Sequence, residues 1–276
     1  MKPSEQQQYY ADLWRQTGTS IGFDERSRLH EIRKAIHLYL DSSSKKQPLK
    51  VFDFGCGAGW LGQHLLSYGE VHAADFGHEA IKHAASVFPE VKYHVLKDNL
   101  PLYGILEKSF DIVVATEVIE HVKDKVSFVR NLHALLGVEG CLILTTPKGE
   151  LYSQWSNWIT GEQQPVEEWL TTKELANLLT DNGFNILYQH TFYYVRLSNS
   201  LFDRLLSFLR VYVFNRLPLL HNIWRWATDQ YGIYQIITAV KYQEKPLKAH
   251  EDYPSNRTIY EKMLKIKRRL QGLPVR

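Results

Sequence analysis

Three glycines at alternate positions, joining a short apolar run to a helix signal, constrain this chain more than any other feature. The run reads Val51-Phe52-Asp53-Phe54-Gly55-Cys56-Gly57-Ala58-Gly59. Glycine adopts backbone conformations closed to other residues, so a turn of this kind brings main chain close to a ligand where a strand hands over to a helix. A second register, Gly57-Ala58-Gly59-Trp60-Leu61-Gly62, matches a G-x-G-x-x-G pattern, which taken alone suggests a dinucleotide. Asp53 separates the two readings. A carboxylate at the end of an otherwise apolar strand repels a pyrophosphate and pairs with a ligand that carries an ammonium group. The register Gly55, Gly57, Gly59 is therefore preferred.

Around this turn, strand and helix signals alternate. Apolar runs at Lys50–Phe54, Val71–Ala74, Val91–Leu96, Phe110–Ala115 and Cys141–Thr145 are separated by helical patterns from about Trp60, from His78 and over Asp124–Leu136. A further helix at Thr172–Asn182, stopped by Gly183, leads to a strand at Phe184–Tyr194, and a last strand lies at Tyr234–Tyr242. The expected fold class is α/β, a doubly wound, mostly parallel sheet. Two helices, Ser4–Arg15 and Asp24–Leu40, precede it. The expected division is an N-terminal helical segment over 1–47, a core over 48–196, a helical cap insertion over 197–232, the last core strand over 233–243 and a basic tail over 244–276.

Composition excludes more than it selects. With 276 residues, 44% hydrophobic and 23% charged, the chain is neither disordered nor fibrous. Its net charge of +3 is too small to imply nucleic-acid binding by the whole chain, but from Lys245 onward there are nine Lys or Arg against three acids. Cys56 and Cys141 are the only cysteines, so no disulfide framework or zinc finger is expected. The polar start, Met1 to Trp14, lacks the apolar stretch of a signal peptide, and a cytoplasmic location is expected.

Asp75 ends the second strand, twenty residues after Gly55, where a carboxylate accepts the two ribose hydroxyls of an adenosine group. Asp98 and Asn99 follow the third strand, where a polar side chain meets an adenine amino group or simply caps a turn. At this point the sequence resembles the class I S-adenosylmethionine-dependent methyltransferase family, and within it the ubiquinone-biosynthesis O-methyltransferases. The resemblance is carried by Val51 to Gly59, by Asp75, and by Ser109-Phe110-Asp111-Ile112-Val113-Val114-Ala115-Thr116-Glu117-Val118-Ile119-Glu120-His121-Val122. It implies a Rossmann-like methyltransferase fold of seven strands with the last antiparallel, and S-adenosylmethionine as cofactor. The cofactor-binding set expected is Arg28, Asp53, Gly55, Cys56, Gly57, Gly59, Asp75, Phe76, Asp98, Asn99, Thr116 and Glu117. By the same resemblance Arg28 reaches the methionine carboxylate; the competing reading is a surface helical charge.

Methyl transfer needs alignment and desolvation of the nucleophile more than a dedicated base. For a hydroxyl acceptor a base helps, and His121 is the candidate catalytic residue, with a structural role beneath the cofactor loop as the alternative. On a helix, Glu117, Glu120 and His121 would share one face and suit a divalent ion. The loop Pro147–Leu170 offers no further His, so no metal is expected. That loop carries Tyr152, Trp155, Trp158 and Trp169 with Gln163, Gln164, Glu167 and Glu168, a candidate acceptor wall or a packing element.

The insertion is apolar but does not suit a membrane span. Asp203, Arg204, Arg210 and Arg216 would each cost about 2.5 to 3.5 kcal/mol near a helix centre. An amphipathic helix fits better, with Phe202, Leu205, Leu206, Leu209, Tyr212 and Val213 on one face. That face packs on the protein's own core, caps the acceptor site, or meets a membrane surface or lipid-linked acceptor, to which Trp224, Trp226 and the basic tail add. The leading expectation is a methyltransferase acting on oxygen of a small-molecule or lipid-linked acceptor, with peripheral membrane contact as a secondary feature. RNA methylation, for which no nucleic-acid-binding motif is present, and a non-catalytic cofactor-binding scaffold are the alternatives.

Overall fold

Leu29, Ile32, Ala35, Ile36 and Tyr39 recur at three- and four-residue spacing, and they form the buried stripe of helix α1 (Phe23–Ser42). The computed structural model describes residues 23–96, 109–151, 167–192 and 232–241. After α1 come β1 (Leu49–Phe54), α2 (Gly62–Leu65) with a 3₁₀ turn over Leu66–Tyr68, β2 (Gly69–Asp75), α3 (His78–Val87) and β3 (Lys92–Val95). Then follow β4 (Phe110–Thr116), a 3₁₀ turn over Ile119–His121, α4 (Lys125–Leu135), β5 (Leu136–Pro147), α5 (Thr172–Asp181), β6 (Phe184–Phe192) and β7 (Tyr234–Lys241). The expected helix at Ser4–Arg15, the cap over 197–232 and the tail over 244–276 lie outside the described residues.

The strands form one seven-stranded sheet in the order β3-β2-β1-β4-β5-β7-β6. Pairings among β3, β2, β1, β4 and β5 are parallel, whereas β7 runs antiparallel to both β5 and β6. This is the doubly wound, mostly parallel sheet that the alternating signals predict. Side chains of one strand alternate between its faces. Val51, Val114, Cys141, Ile143 and Ile236 pack with α1, α2 and α3 on one side. Phe52, Phe54, Val113, Leu142, Leu144 and Ile237 pack with α4 and α5 on the other. Both faces are covered, which is why the central strands read as unbroken apolar runs.

Local signals place several boundaries. Asp124 accepts the Ser127 N–H at 2.9 Å and starts α4. Thr171 and Glu174 form a reciprocal capping box at the start of α5. Gly183, at φ +88°, ends that helix as its sequence position predicts. The helix after the glycine turn is only four residues followed by a three-residue 3₁₀ turn, because no side chain caps its start and β2 begins at once with Gly69.

Candidate functional site

In a sheet of this kind the crevice for a ligand opens beyond the carboxyl ends of the strands where the winding reverses. Here that point lies between β1 and β4. The glycine turn leaves β1 at this edge and is pinned to β2. Both the Gly55 and the Cys56 N–H donate to the Ala74 carbonyl, at 2.8 and 3.1 Å, and the Gly59 N–H donates to Cys56 O at 2.9 Å. Gly55, Gly57 and Gly59 have φ of +73°, +50° and +83°. Gly62, needed by the alternative register, sits inside α2 without a positive φ. A Cβ on Gly55 would overlap Val118, and one on Gly59 would lie 2.6 Å from the Tyr93 hydroxyl and 2.8 Å from Ala84 Cβ. The turn therefore admits no side chain at either position. Cys56 is buried within it, and burial pushes its thiol well above the ordinary range.

Asp53 is fully buried, and neither carboxylate oxygen has a hydrogen-bond partner among the described residues. Burial first, and the Asp75 carboxylate second, push it up to about 7. A buried carboxylate with nothing to pair with is destabilising on its own and becomes favourable once a cationic donor reaches it. Asp75 differs. Its Oδ2 accepts the Gly57 N–H at 2.9 Å and its Oδ1 the Gly77 N–H at 2.8 Å, and the Phe76 N–H also acts on this carboxylate; two carboxylate oxygens have capacity for more. Phe76, next to it, is 38% exposed, a large apolar ring at the lip of the sheet. Asp98 and Asn99 lie outside the described residues.

At the end of β4 the structure corrects the single-helix-face reading of Glu117, Glu120 and His121. Glu117 has φ +53°, and only Ile119–His121 form a helical turn, of the 3₁₀ type. With that break the i, i+3, i+4 geometry is lost. Consecutive threonines of β5 hold the two acids instead. Thr145 Oγ1 donates to Glu117 Oε1 at 3.0 Å, and Thr146 Oγ1 donates to Glu120 Oε2 at 2.9 Å. The two carboxylates remain close enough to act on one another, and the Arg28 guanidinium acts on both. Among the described residues no group of three His, Cys, Asp or Glu is placed to hold a metal. Burial raises both acids, Glu120 to about 7. His121 Nε2 lies 3.9 Å from Glu120 Oε1, and Thr116 is buried at the strand end.

Arg28 comes to this edge from α1. Its guanidinium carbon is 5.0 Å from the Tyr234 ring centroid, and its Nε is buried without a partner among the described residues. Burial opposes its charge and is the largest single effect, but the Glu117 carboxylate, the Tyr234 hydroxyl and Glu25 together outweigh it and hold the pKa above the ordinary value. Arg28 is thus no surface charge. Tyr234, Val118, Thr145 and Thr146 were not singled out from the sequence. The Thr145-Thr146 pair at the polar end of the apolar β5 run was the signal available, since strand ends of such sheets line the crevice.

Glu168 N–H donates to Glu120 O at 2.9 Å, and Lys125 Nζ reaches Glu168 Oε2 at 2.9 Å, so the segment entering α5 is tied to the 3₁₀ turn of His121. Trp169 is half-buried there. Tyr152, Trp155, Trp158, Gln163 and Gln164 lie outside the described residues, as do Phe202, Leu205, Leu206, Leu209, Tyr212, Val213, Trp224 and Trp226. Among the described residues no helix is long and apolar enough to cross a membrane.

Comparison with known proteins gives one family. The profile of the methyltransferase-domain family matches residues 23–189. A Mycobacterium tuberculosis protein named as a probable S-adenosylmethionine-dependent methyltransferase is 33% identical over 140 residues, which cover 49% of this chain and 48% of that protein. The chain thus spans about half the length of that relative. The ubiquinone biosynthesis O-methyltransferase of Rickettsia canadensis is 28% identical over 171 residues, covering 58% of this chain and 71% of that protein. Among solved structures, magnesium protoporphyrin IX methyltransferase from Synechocystis superposes with a TM-score of 0.55 at 15% identity, over 87% of this chain and 99% of the other. The plantazolicin methyltransferase BamL gives 0.55 at 18% identity, over 86% and 97%. At these identities the structures establish a shared fold.

Proposed function

This chain belongs to the methyltransferase-domain family, and from that membership we propose that it transfers a methyl group from S-adenosylmethionine to a hydroxyl oxygen of a small-molecule or lipid-linked acceptor. The observation that carries the cofactor reading is Asp53, whose two buried oxygens lack partners directly beneath the glycine turn. An α-amino group supplies the cationic donor that this carboxylate lacks. The partnerless Nε of Arg28 suits the carboxylate of the same amino-acid end. Asp75 retains acceptor capacity for ribose hydroxyls, and Phe76 offers an apolar surface beside it. These residues fit a zwitterionic nucleoside and leave no counter-charge for a pyrophosphate.

When bound, the cofactor supplies a methyl carbon already activated by its sulfonium. The chain's own part is to fix the acceptor, exclude water and accept a proton. His121 takes the hydroxyl proton, with the Glu120 carboxylate 3.9 Å from its Nε2. The O-methyltransferase relatives favour oxygen as the target. The apolar face expected over 197–232 favours an apolar or lipid-linked acceptor.

Two measurements test this. Calorimetric titration with S-adenosylhomocysteine is expected to show binding by the wild type and little by Asp53→Asn; equal binding by both would overturn the cofactor assignment. Incubation of the protein with cell extract and methyl-labelled cofactor is expected to place label in the organic phase. Label confined to RNA or to protein would overturn the acceptor class.

A further inference from the structure

The face that α1 turns toward β6 and β7 carries a charge pattern that the reading above leaves unused. Arg28, Glu31 and Lys34 follow one another at three-residue spacing and share one side of the helix. On the sheet, Tyr188, His190 and Phe192 alternate onto one side of β6, and Tyr234 of β7 pairs in register with Phe192. Three contacts run in order between the two rows. Arg28 lies over Tyr234 at 5.0 Å, Glu31 Oε2 meets His190 Nε2 at 2.9 Å, and Lys34 Nζ lies 5.7 Å from the Tyr188 ring centroid. The rings form a continuous ladder, with centroids 4.7 Å apart from Tyr188 to His190, 6.3 Å on to Phe192 and 5.8 Å on to Tyr234.

The outer two contacts tolerate sliding, because attraction of a cation to a ring face falls off gently with distance. The middle one does not. A slip of α1 by one turn displaces its side chains by ~5.4 Å, which breaks a 2.9 Å hydrogen bond between two poorly solvated side chains, Glu31 and His190 being 14% and 7% exposed, and leaves Glu31 with Lys34 of its own helix, 3.3 Å away, in place of its partner on the sheet. Burial pushes the Glu31 carboxyl upward, but the His190 hydrogen bond and the charges of His190 and Lys34 bring it down to about 2, so it remains ionised.

We propose that the Glu31–His190 pair is the pin that sets the register of α1 on the sheet, and thereby places the Arg28 guanidinium for the carboxylate of the cofactor's amino-acid end. Both are positioning residues, since they act through Arg28. The inference rests on the cofactor reading above, and it predicts a selective defect. Ligands that carry the amino-acid end feel the loss of the pin, whereas ligands that stop at the thioether do not.

The test is calorimetry with two probes, S-adenosylhomocysteine and 5′-methylthioadenosine, the second of which keeps adenosine and thioether but lacks the amino-acid end. In His190→Phe, which keeps the ring ladder and loses the hydrogen bond, affinity for S-adenosylhomocysteine is expected to fall about tenfold or more while that for methylthioadenosine stays within about twofold. His190→Gln, which keeps a donor, is expected to recover most of the loss. Equal losses for the two probes, or unchanged S-adenosylhomocysteine binding, would overturn the proposal. Should His190→Phe fail to fold, the double variant Glu31→Gln/His190→Phe removes the stranded charge. It is expected to show the same selective loss, and full S-adenosylhomocysteine affinity there would overturn the pin. Wild-type protein that binds neither probe would overturn the cofactor reading itself, and the pin with it.

Discussion

Asp75 accepts the backbone N–H of Gly57 at 2.9 Å, so the carboxylate that ends the second strand also holds the glycine turn that leaves the first. Its other oxygen takes the Gly77 N–H at 2.8 Å and fixes the start of α3. One side chain therefore joins three segments of the site. An amide in its place presents an NH₂ to one of these donors. Asp75→Asn is accordingly expected to lower stability by about 1–3 kcal/mol in urea denaturation and to weaken S-adenosylhomocysteine binding beyond what the ribose contact alone explains; a variant of wild-type stability would show that the turn does not depend on this carboxylate.

Asp53 makes the unliganded protein sensitive to pH. Its carboxyl is raised from 3.8 to about 7 in the folded state, so the native fold favours the neutral form. The contribution to stability is complete below the unfolded value and is lost as pH rises through the folded one. Melting temperature without ligand is expected to fall between about pH 4 and 7, with Glu120 adding a change of the same sign. Saturation with S-adenosylhomocysteine flattens the Asp53 part, because the ligand's ammonium stabilises the ionised form. Asp53→Asn is expected to show the flatter profile without ligand; a slope equal to wild type would remove Asp53 as its source.

Gly55→Ala combines two penalties. The φ of +73° costs a side chain roughly 1–2 kcal/mol, and the new methyl overlaps Val118. Thermal denaturation is expected to register both, and the double variant Gly55→Ala/Val118→Ala to recover only the steric part. Complete recovery would show that the backbone conformation carries no cost here.

Gln235, fully buried on β7, donates through Nε2 to Leu170 O at 2.8 Å and to Pro147 O at 3.4 Å. It joins the end of β5 to the segment entering α5. Gln235→Leu leaves the Leu170 carbonyl with the Gly149 N–H, at 3.0 Å, as its remaining donor, and a loss of about 0.5–1.5 kcal/mol is expected in chemical denaturation. No change in the midpoint would mean that the Gly149 contact alone holds the segment.

If His121 accepts the proton of a hydroxyl acceptor, His121→Gln is expected to lower kcat about 10²-fold or more while calorimetric affinity for S-adenosylhomocysteine is kept. A fall in cofactor affinity with kcat intact would instead assign His121 to the floor of the cofactor site.

Much of the fold was legible because its signals are local. Apolar runs bounded by turn residues marked each strand, Gly183 stopped a helix, and Asp53 next to Gly55 chose the glycine register that the positive φ values display. The sequence alone determined the order of elements, the class of sheet and the position of its glycine turn, since hydrophobic periodicity and glycine chemistry act over a few residues. Helical spacing did not place Glu117, Glu120 and His121, because it is informative only where the chain is helical, and Glu117 sits in the left-handed region. Tertiary structure decided which side chains meet. The β4–β5 register sets Thr145 beside Glu117 and Thr146 beside Glu120, and the packing of α1 against β6 and β7 brings Arg28 to Tyr234 and Glu31 to His190. Those partners are far apart in the chain, and only the pairing of strands and the docking of a helix across them fix the distances on which their chemistry depends.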